Sequence, residues 1–179
     1  IAGAGLTYGQ MNDMSSAVTP GSDGLFLLPF GNGAERMLRN ADISSSFHGI
    51  NFNIHGQGHL FRAAQEAIAY SFRFGLEIMK ETGINPGVIR AGESNLFQSK
   101  VFRDTLSSLT SAVITLYNTD GSAGAARGAG IGCGYYKNEK EAFGGLEAIG
   151  VSEPDNSLSS VYEAKYQEWV DILEDKLYK

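Results

Sequence analysis

The sequence predicts an α/β layered domain with helices on both faces of a sheet, and three observations carry that prediction. Short apolar or β-branched runs at 25–30, 87–92 and 112–117 alternate with stretches of helical period. The run 57–82 places Leu60, Ala64, Ala67, Ile68, Phe72, Leu76 and Met79 at three- and four-residue steps, the repeat of one helical face aimed at a core. No internal repeat and no low-complexity linker divides the 179 residues, so a single domain spanning 1–179 is expected.

In chain order, 1–9 packs glycine and alanine around a turn, and Met11, Met14 and Val18 continue at helical spacing until Pro20 and Gly21 end it. The apolar run 25–30 suits a strand, bounded by Gly24 and Pro29. A loop over 31–46 carries Glu35 and Arg36, and 45–50 is a second, weaker strand. The long helix 57–82 follows, stopped by Gly83 and Pro86. Residues 87–92 then read as strand and tight turn, with Leu96, Val101, Phe102, Leu106 and Leu109 on the face of the next helix. Residues 112–117 form the next strand. The small-residue segment 121–136 predicts close helix packing, 136–145 a short surface helix, and 148–152 an extended stretch. Asp155 or Ser157 caps a final amphipathic helix that runs to Leu177.

Composition excludes several classes of function. A net charge of −6 and a pI near 5.0, with no basic run, speak against a nucleic-acid partner or an anionic membrane surface. The single Cys133 has no internal disulfide partner and lies among glycines, which reads as a packed, inert thiol in a reducing compartment. No apolar run reaches the ~18 residues of a membrane span and no signal-type start is visible, so a soluble, cytoplasmic protein is expected. Ile1, in place of Met, opens on what looks like a strand end, as if the chain were cut from something longer.

Chemistry-bearing patterns are few. The turn 92–99 leaves a strand and enters a helix, so its free N–H groups and the helix dipole point into a crevice where α/β sheets tend to bind ligands. Asn95, Gln98 and Ser99 can read a polar base or a phosphate there, or simply cap the helix. Gly3, Gly5 and Thr7 form a second turn where backbone can approach a ligand closely, but without the third glycine or the acidic residue of a dinucleotide fingerprint. No Lys-Ser or Lys-Thr pair turns 121–134 into a phosphate loop. His48, His55 and His59 lack Cys or carboxylate companions at metal-ligand spacing, so no metal site is assigned. Glu66 and Arg73 read as a satisfied polar pair at the edge of the long helix.

Together these pieces resemble the C-terminal domain of the FGGY-family carbohydrate kinases, most closely their xylulokinase branch. Phe47-His48-Gly49-Ile50 and, eight residues on, His59-Leu60-Phe61-Arg62-Ala63-Ala64-Gln65-Glu66 are similar to the second FGGY signature, with Gln65 where that family carries an aliphatic residue. Leu27-Leu28-Pro29-Phe30 with Gly33-Ala34-Glu35-Arg36 resembles a further segment of the branch. The resemblance implies an actin-like, ribonuclease-H-type ATPase fold with a mixed sheet. It implies ATP and Mg²⁺ as cofactors, with Gly3 and Thr7 at one nucleotide turn and Gly92, Asn95, Gln98 and Ser99 at the adenine turn. There Ser94-Asn95-Leu96-Phe97-Gln98-Ser99 replaces a glycine-rich sequence. It implies a ketose as acceptor, D-xylulose first, an N-terminal sugar-binding domain of the same protein as partner, and a homodimer. The catalytic base then lies upstream, so no catalytic residue is assigned within 1–179, and the segment alone is expected to be inactive. From another class, an actin-like ATPase module of a regulatory protein with no sugar acceptor fits the same turns.

Overall fold

The computed structural model describes residues 5–31 and 35–178; Gly3, Gly33 and Ala34, which the resemblance singles out, lie outside them. Six helices and five strands are formed: α1 (Tyr8–Ser16), β1 (Phe26–Leu28), β2 (Ser46–His48), α2 (Gln57–Glu81), β3 (Val88–Gly92), α3 (Lys100–Thr110), β4 (Val113–Tyr117), α4 (Gly121–Gly132), α5 (Glu139–Phe143), β5 (Ala148–Ser152) and α6 (Ser159–Leu177). β1 and β2 make an antiparallel pair, and β3-β4-β5 make a mixed sheet, β3 parallel and β5 antiparallel to β4. β2 ends before Gly49, whose φ of +73° and 2.4 Å from the place of a Cβ to the Gly24 carbonyl, just ahead of β1, leave room for no side chain.

One face of the mixed sheet, bearing Ile89, Ile114 and Leu116, lies toward the core. α3 packs there, and Ser107 Oγ of α3 donates to the carbonyls of Ala112 and Ser152. The core centres on Trp169 of α6, fully buried between Phe30, Tyr70, Phe74 and Tyr166, with its indole N–H donating to the Leu27 carbonyl at 2.9 Å. Leu28, Leu38, Phe102, Leu106 and Leu173 complete it.

α2 has the predicted span but presents a different face. Its fully covered positions are Arg62, Ala63, Gln65, Glu66, Ala67, Ala69, Tyr70 and Ser71, whereas Phe72 and Met79 are exposed and Ile68 and Leu76 half-buried. The apolar stripe instead lines an open groove with Pro29, Phe30 and Met37, about 520 Å³ in volume. The physical reason is that Arg62, Gln65, Glu66 and Ser71 of the buried stripe find hydrogen-bonding partners inside the protein, so burial does not follow hydrophobicity there.

Other expectations change as well. α4 has no buried residue, and added Cβ atoms at Gly124 and Gly128 would meet nothing; only Gly130, against the Tyr136 ring, supports a close approach. Cys133, at the end of α4, is exposed rather than packed, its thiol donating to the Gly130 carbonyl. Glu66 and Arg73 are not partners: Glu66 pairs with Arg62, and Arg73 with Glu77 and Glu163. Before α6, Asp155 folds its own turn by accepting from Ser157, and no side chain caps the helix.

Candidate functional site

Two turns and the helix between them form the candidate site. The first is the start of α1, fixed by a reciprocal cap: Thr7 Oγ1 accepts from the Gln10 N–H at 3.3 Å, and Gln10 Oε1 accepts from the Thr7 N–H at 2.8 Å. Thr7 is exposed and its hydroxyl is already engaged with Gln10.

The second turn follows β3. Gly92 lies so close to the turn leaving β4 that a Cβ would stand 2.5 Å from the Thr119 carbonyl oxygen, which explains glycine at that point. Asn95 has φ of +52°, is exposed, and its amide has no hydrogen-bonding partner among the described residues. A 3₁₀ turn, Asn95–Gln98, separates it from α3, so the helix starts at Lys100 rather than inside the turn. Gln98 is exposed and donates weakly to the Glu93 carbonyl at 3.4 Å. Ser99 is the N-cap of α3 and only 2% exposed, accepting from the Phe102 N–H and donating to Gln65 Oε1 at 2.7 Å. Asn95 therefore offers a free side chain, whereas the hydroxyl of Ser99 is turned inward.

Gln65 joins the two turns. Its Nε2 donates to Asn12 Oδ1 at 3.2 Å and to Ser15 Oγ at 3.4 Å on α1, while its Oε1 takes the Ser99 hydroxyl on α3. Sequence reasoning singled out Thr7 and Ser99 but not this connection; the one signal for it was a glutamine at an otherwise aliphatic position of α2.

A second buried network lies one turn along α2. Glu66 Oε1 accepts from Arg62 Nε at 2.8 Å and from the Gly21 N–H at 2.9 Å; Arg62 also donates to the Val18 carbonyl at 2.7 Å and to Tyr162 Oη at 3.1 Å. Burial pushes the Glu66 carboxyl above the usual range, against the opposing pull of Arg62. On the outer side, His59 Nδ1 accepts from the Gly56 N–H, which leaves Nε2–H to donate to Asp23 Oδ2 at 3.1 Å. His55 makes the matching contact to the Asp23 carbonyl. The hydrogen bond from Thr19, and then that from His59, hold Asp23 below its ordinary range. Among the described residues no group of three His, Cys, Asp or Glu is placed to hold a metal ion, and no helix is long and apolar enough to cross a membrane.

Beside Gly92, at the carboxyl ends of β3 and β4, a cavity of about 580 Å³ is lined by Arg90, Tyr117, Thr119, Lys140 and Phe143. It adjoins the second turn on the side away from Gln65, since Arg90, Gly92 and Tyr117 share the face opposite Ile89 and Ile114.

No protein-family model matches the chain. The L-xylulose/3-keto-L-gulonate kinase of Escherichia coli K12 is 27% identical over 173 residues, covering 94% of this chain and 33% of that protein. Two solved structures share the fold: ligand-bound xylulose kinase from Lactobacillus acidophilus, with a TM-score of 0.77 at 19% identity over 99% of this chain and 36% of that one, and Plasmodium falciparum glycerol kinase with ADP, with a TM-score of 0.74 at 20% identity over 97% and 34%. The chain spans about a third of the length of the proteins it matches.

Proposed function

We propose, from the premise that this chain is the C-terminal domain of an FGGY-type carbohydrate kinase, that it holds ATP for transfer of the γ-phosphoryl group to a ketopentose, D-xylulose in the first instance. The observation that carries the reading is the match along 94% of the chain to a kinase named for L-xylulose. The fold is the actin-like ATPase type, mixed sheet included.

ATP fits the second turn on the chemistry present. Asn95 offers an exposed amide with no partner among the described residues, Gln98 an exposed amide held only by a 3.4 Å contact to the Glu93 carbonyl, and the absence of a side chain at Gly92 lets backbone come close. Thr7 and Gly3 are assigned to the first turn. Ser99 contributes through the first turn of α3, because its own hydroxyl is spent on Phe102 and Gln65. Mg²⁺ would supply charge neutralisation on the phosphates; the described residues offer it no acidic cluster, so its protein ligands are assigned to the rest of the kinase. The protein's part is to position the nucleotide, which in phosphoryl transfer carries much of the catalysis. We assign the general base and the sugar-reading residues to the N-terminal domain, and place the enzyme in the cytoplasm, as a homodimer.

The test is sugar-dependent ADP release by the full-length protein over a panel of ketoses, gluconate and glycerol, with Asn95→Leu beside the wild type. The reading expects D-xylulose to give the highest kcat/KM and the variant to raise the KM for ATP. ADP release that ignores every sugar would replace it with an actin-like ATPase module that has no sugar acceptor.

A further inference from the structure

We propose that Gln65 is a positioning residue that locks the two nucleotide turns into one register, so that a nucleotide meets a site already assembled. The inference rests on the nucleotide reading above and deepens it.

The geometry is a continuous chain of hydrogen bonds across three helices. On α1, Ser15 Oγ donates to the Asn12 carbonyl and accepts from Gln65; Asn12 Oδ1 takes the other amide hydrogen. On α3, Ser99 gives its hydroxyl hydrogen to Gln65 Oε1 and uses its lone pairs on the Phe102 N–H. Both hydrogens of the Gln65 amide and its carbonyl are thus spent, one side of the group on each helix. Gln65 is 6% exposed, and Ser15 and Ser99 no more than 2%, so water does not compete for the contacts to the two serines, while Asn12 is half-buried. In such surroundings a network that is fully satisfied has one arrangement, because shifting either helix strands a buried donor or acceptor. Between Asn12 and Ser15 on α1 lies the direct approach of α2, where a Cβ at Gly58 would be 2.7 Å from the Met14 carbonyl. The second half of α1 and the cap of α3 are therefore tied, α1 carries that tie as a rigid helix to the turn at its start, and a ligand touching both turns loses little freedom of the protein on binding.

Calorimetric titration of the full-length protein with MgADP decides it. Gln65→Met keeps the volume and removes the bridge; Asn12→Ala cuts it on the α1 side, at a residue that is not assigned to the ligand. Thr105→Val serves as the control for stability alone, since it cuts the buried contact of Thr105 to Tyr162 in the other network. The expected result is ADP affinity weakened about tenfold in both Gln65→Met and Asn12→Ala, and within about twofold of wild type in Thr105→Val at comparable loss of Tm. Wild-type affinity in Gln65→Met and Asn12→Ala, with ADP still bound by the wild type, overturns the positioning role and leaves the nucleotide reading standing. An equal loss in Thr105→Val reduces the role to ordinary stability and overturns it too. A wild-type protein that binds no MgADP overturns the nucleotide reading itself, and the positioning role with it.

Discussion

At the scale of single residues, the site depends on which polar atoms are spent and which are free. Ser99 and Asn95 lie four positions apart; one is sealed against Gln65 and the other stands in solvent. Sequence alone gives both as polar residues at a helix start, and nothing in their identity separates cap from ligand contact, because the difference lies in the 3₁₀ turn between them. The cap of α1 goes unread in the sequence, where Thr7 stands as a ligand contact, although Thr7 and Gln10 have the spacing of a reciprocal pair. A different residue is out of balance. Tyr70 is 1% exposed and its hydroxyl has no partner among the described residues, and burial, then the nearby Glu66 charge, pushes its ionisation well above the ordinary phenol range. Tyr70→Phe removes an unsatisfied buried group while keeping the ring contacts with Tyr166 and Trp169. It should raise unfolding stability by about 1 kcal/mol in urea titrations; a loss of similar size would show that the hydroxyl has a partner after all.

At the scale of elements, α2 is where reading by periodicity succeeds and fails together. Its span follows from the period and its stop signals. Its buried face does not, because Arg62, Gln65 and Glu66 are buried there and, beyond the local Arg62–Glu66 pair, find partners 34 to 100 residues away in sequence, a distance over which no local pattern reports. The same helix carries two glycines with opposite roles. Gly58 is pressed against the Met14 carbonyl of α1, whereas an added Cβ at Gly75 would meet nothing within 4 Å. Gly75→Ala should therefore stabilise the protein by about 0.5–1 kcal/mol, through lower helix-forming cost, and Gly58→Ala should destabilise it by forcing α1 and α2 apart. Paired denaturant curves check both, and the prediction fails if the two variants shift in the same direction. The strands β1 and β3 were legible as short runs bounded by Gly or Pro, and β4 as a run of β-branched and apolar residues; the antiparallel entry of β5 was not, since parallel and antiparallel pairing leave the same pattern in a five-residue strand.

At the scale of the whole molecule, acid stability follows from three aspartates that hold their own turns. Asp23, Asp120 and Asp155 are each held below the ordinary carboxyl value, chiefly by side-chain hydrogen bonds from Thr19, Ser122 and Ser157 respectively. A folded value lower than the unfolded one gives stability that is present above the unfolded value and lost as pH falls through the folded one, so Tm should drop below about pH 4. Glu66 runs the other way: its raised value means that protonation favours the fold, which softens the same limb. Thermal scans of Asp23→Asn should show a shallower acid limb than wild type, and an unchanged slope would remove Asp23 from this account. Layering and the likeness to sugar kinases were legible because they rest on signals spread along the chain; the open groove on α2 was not, because an apolar stripe looks the same whether covered or bare. The pairing of Arg62 also bears on the making of the protein. Its guanidinium needs the hydroxyl of Tyr162, 100 residues further on. A ribosome adding ~5–20 residues per second leaves α2 waiting roughly 5–20 s for α6. During that interval the nascent helix carries the Arg62–Glu66 pair without its contact to the last helix, and its lasting seat in the core is set only when that helix arrives.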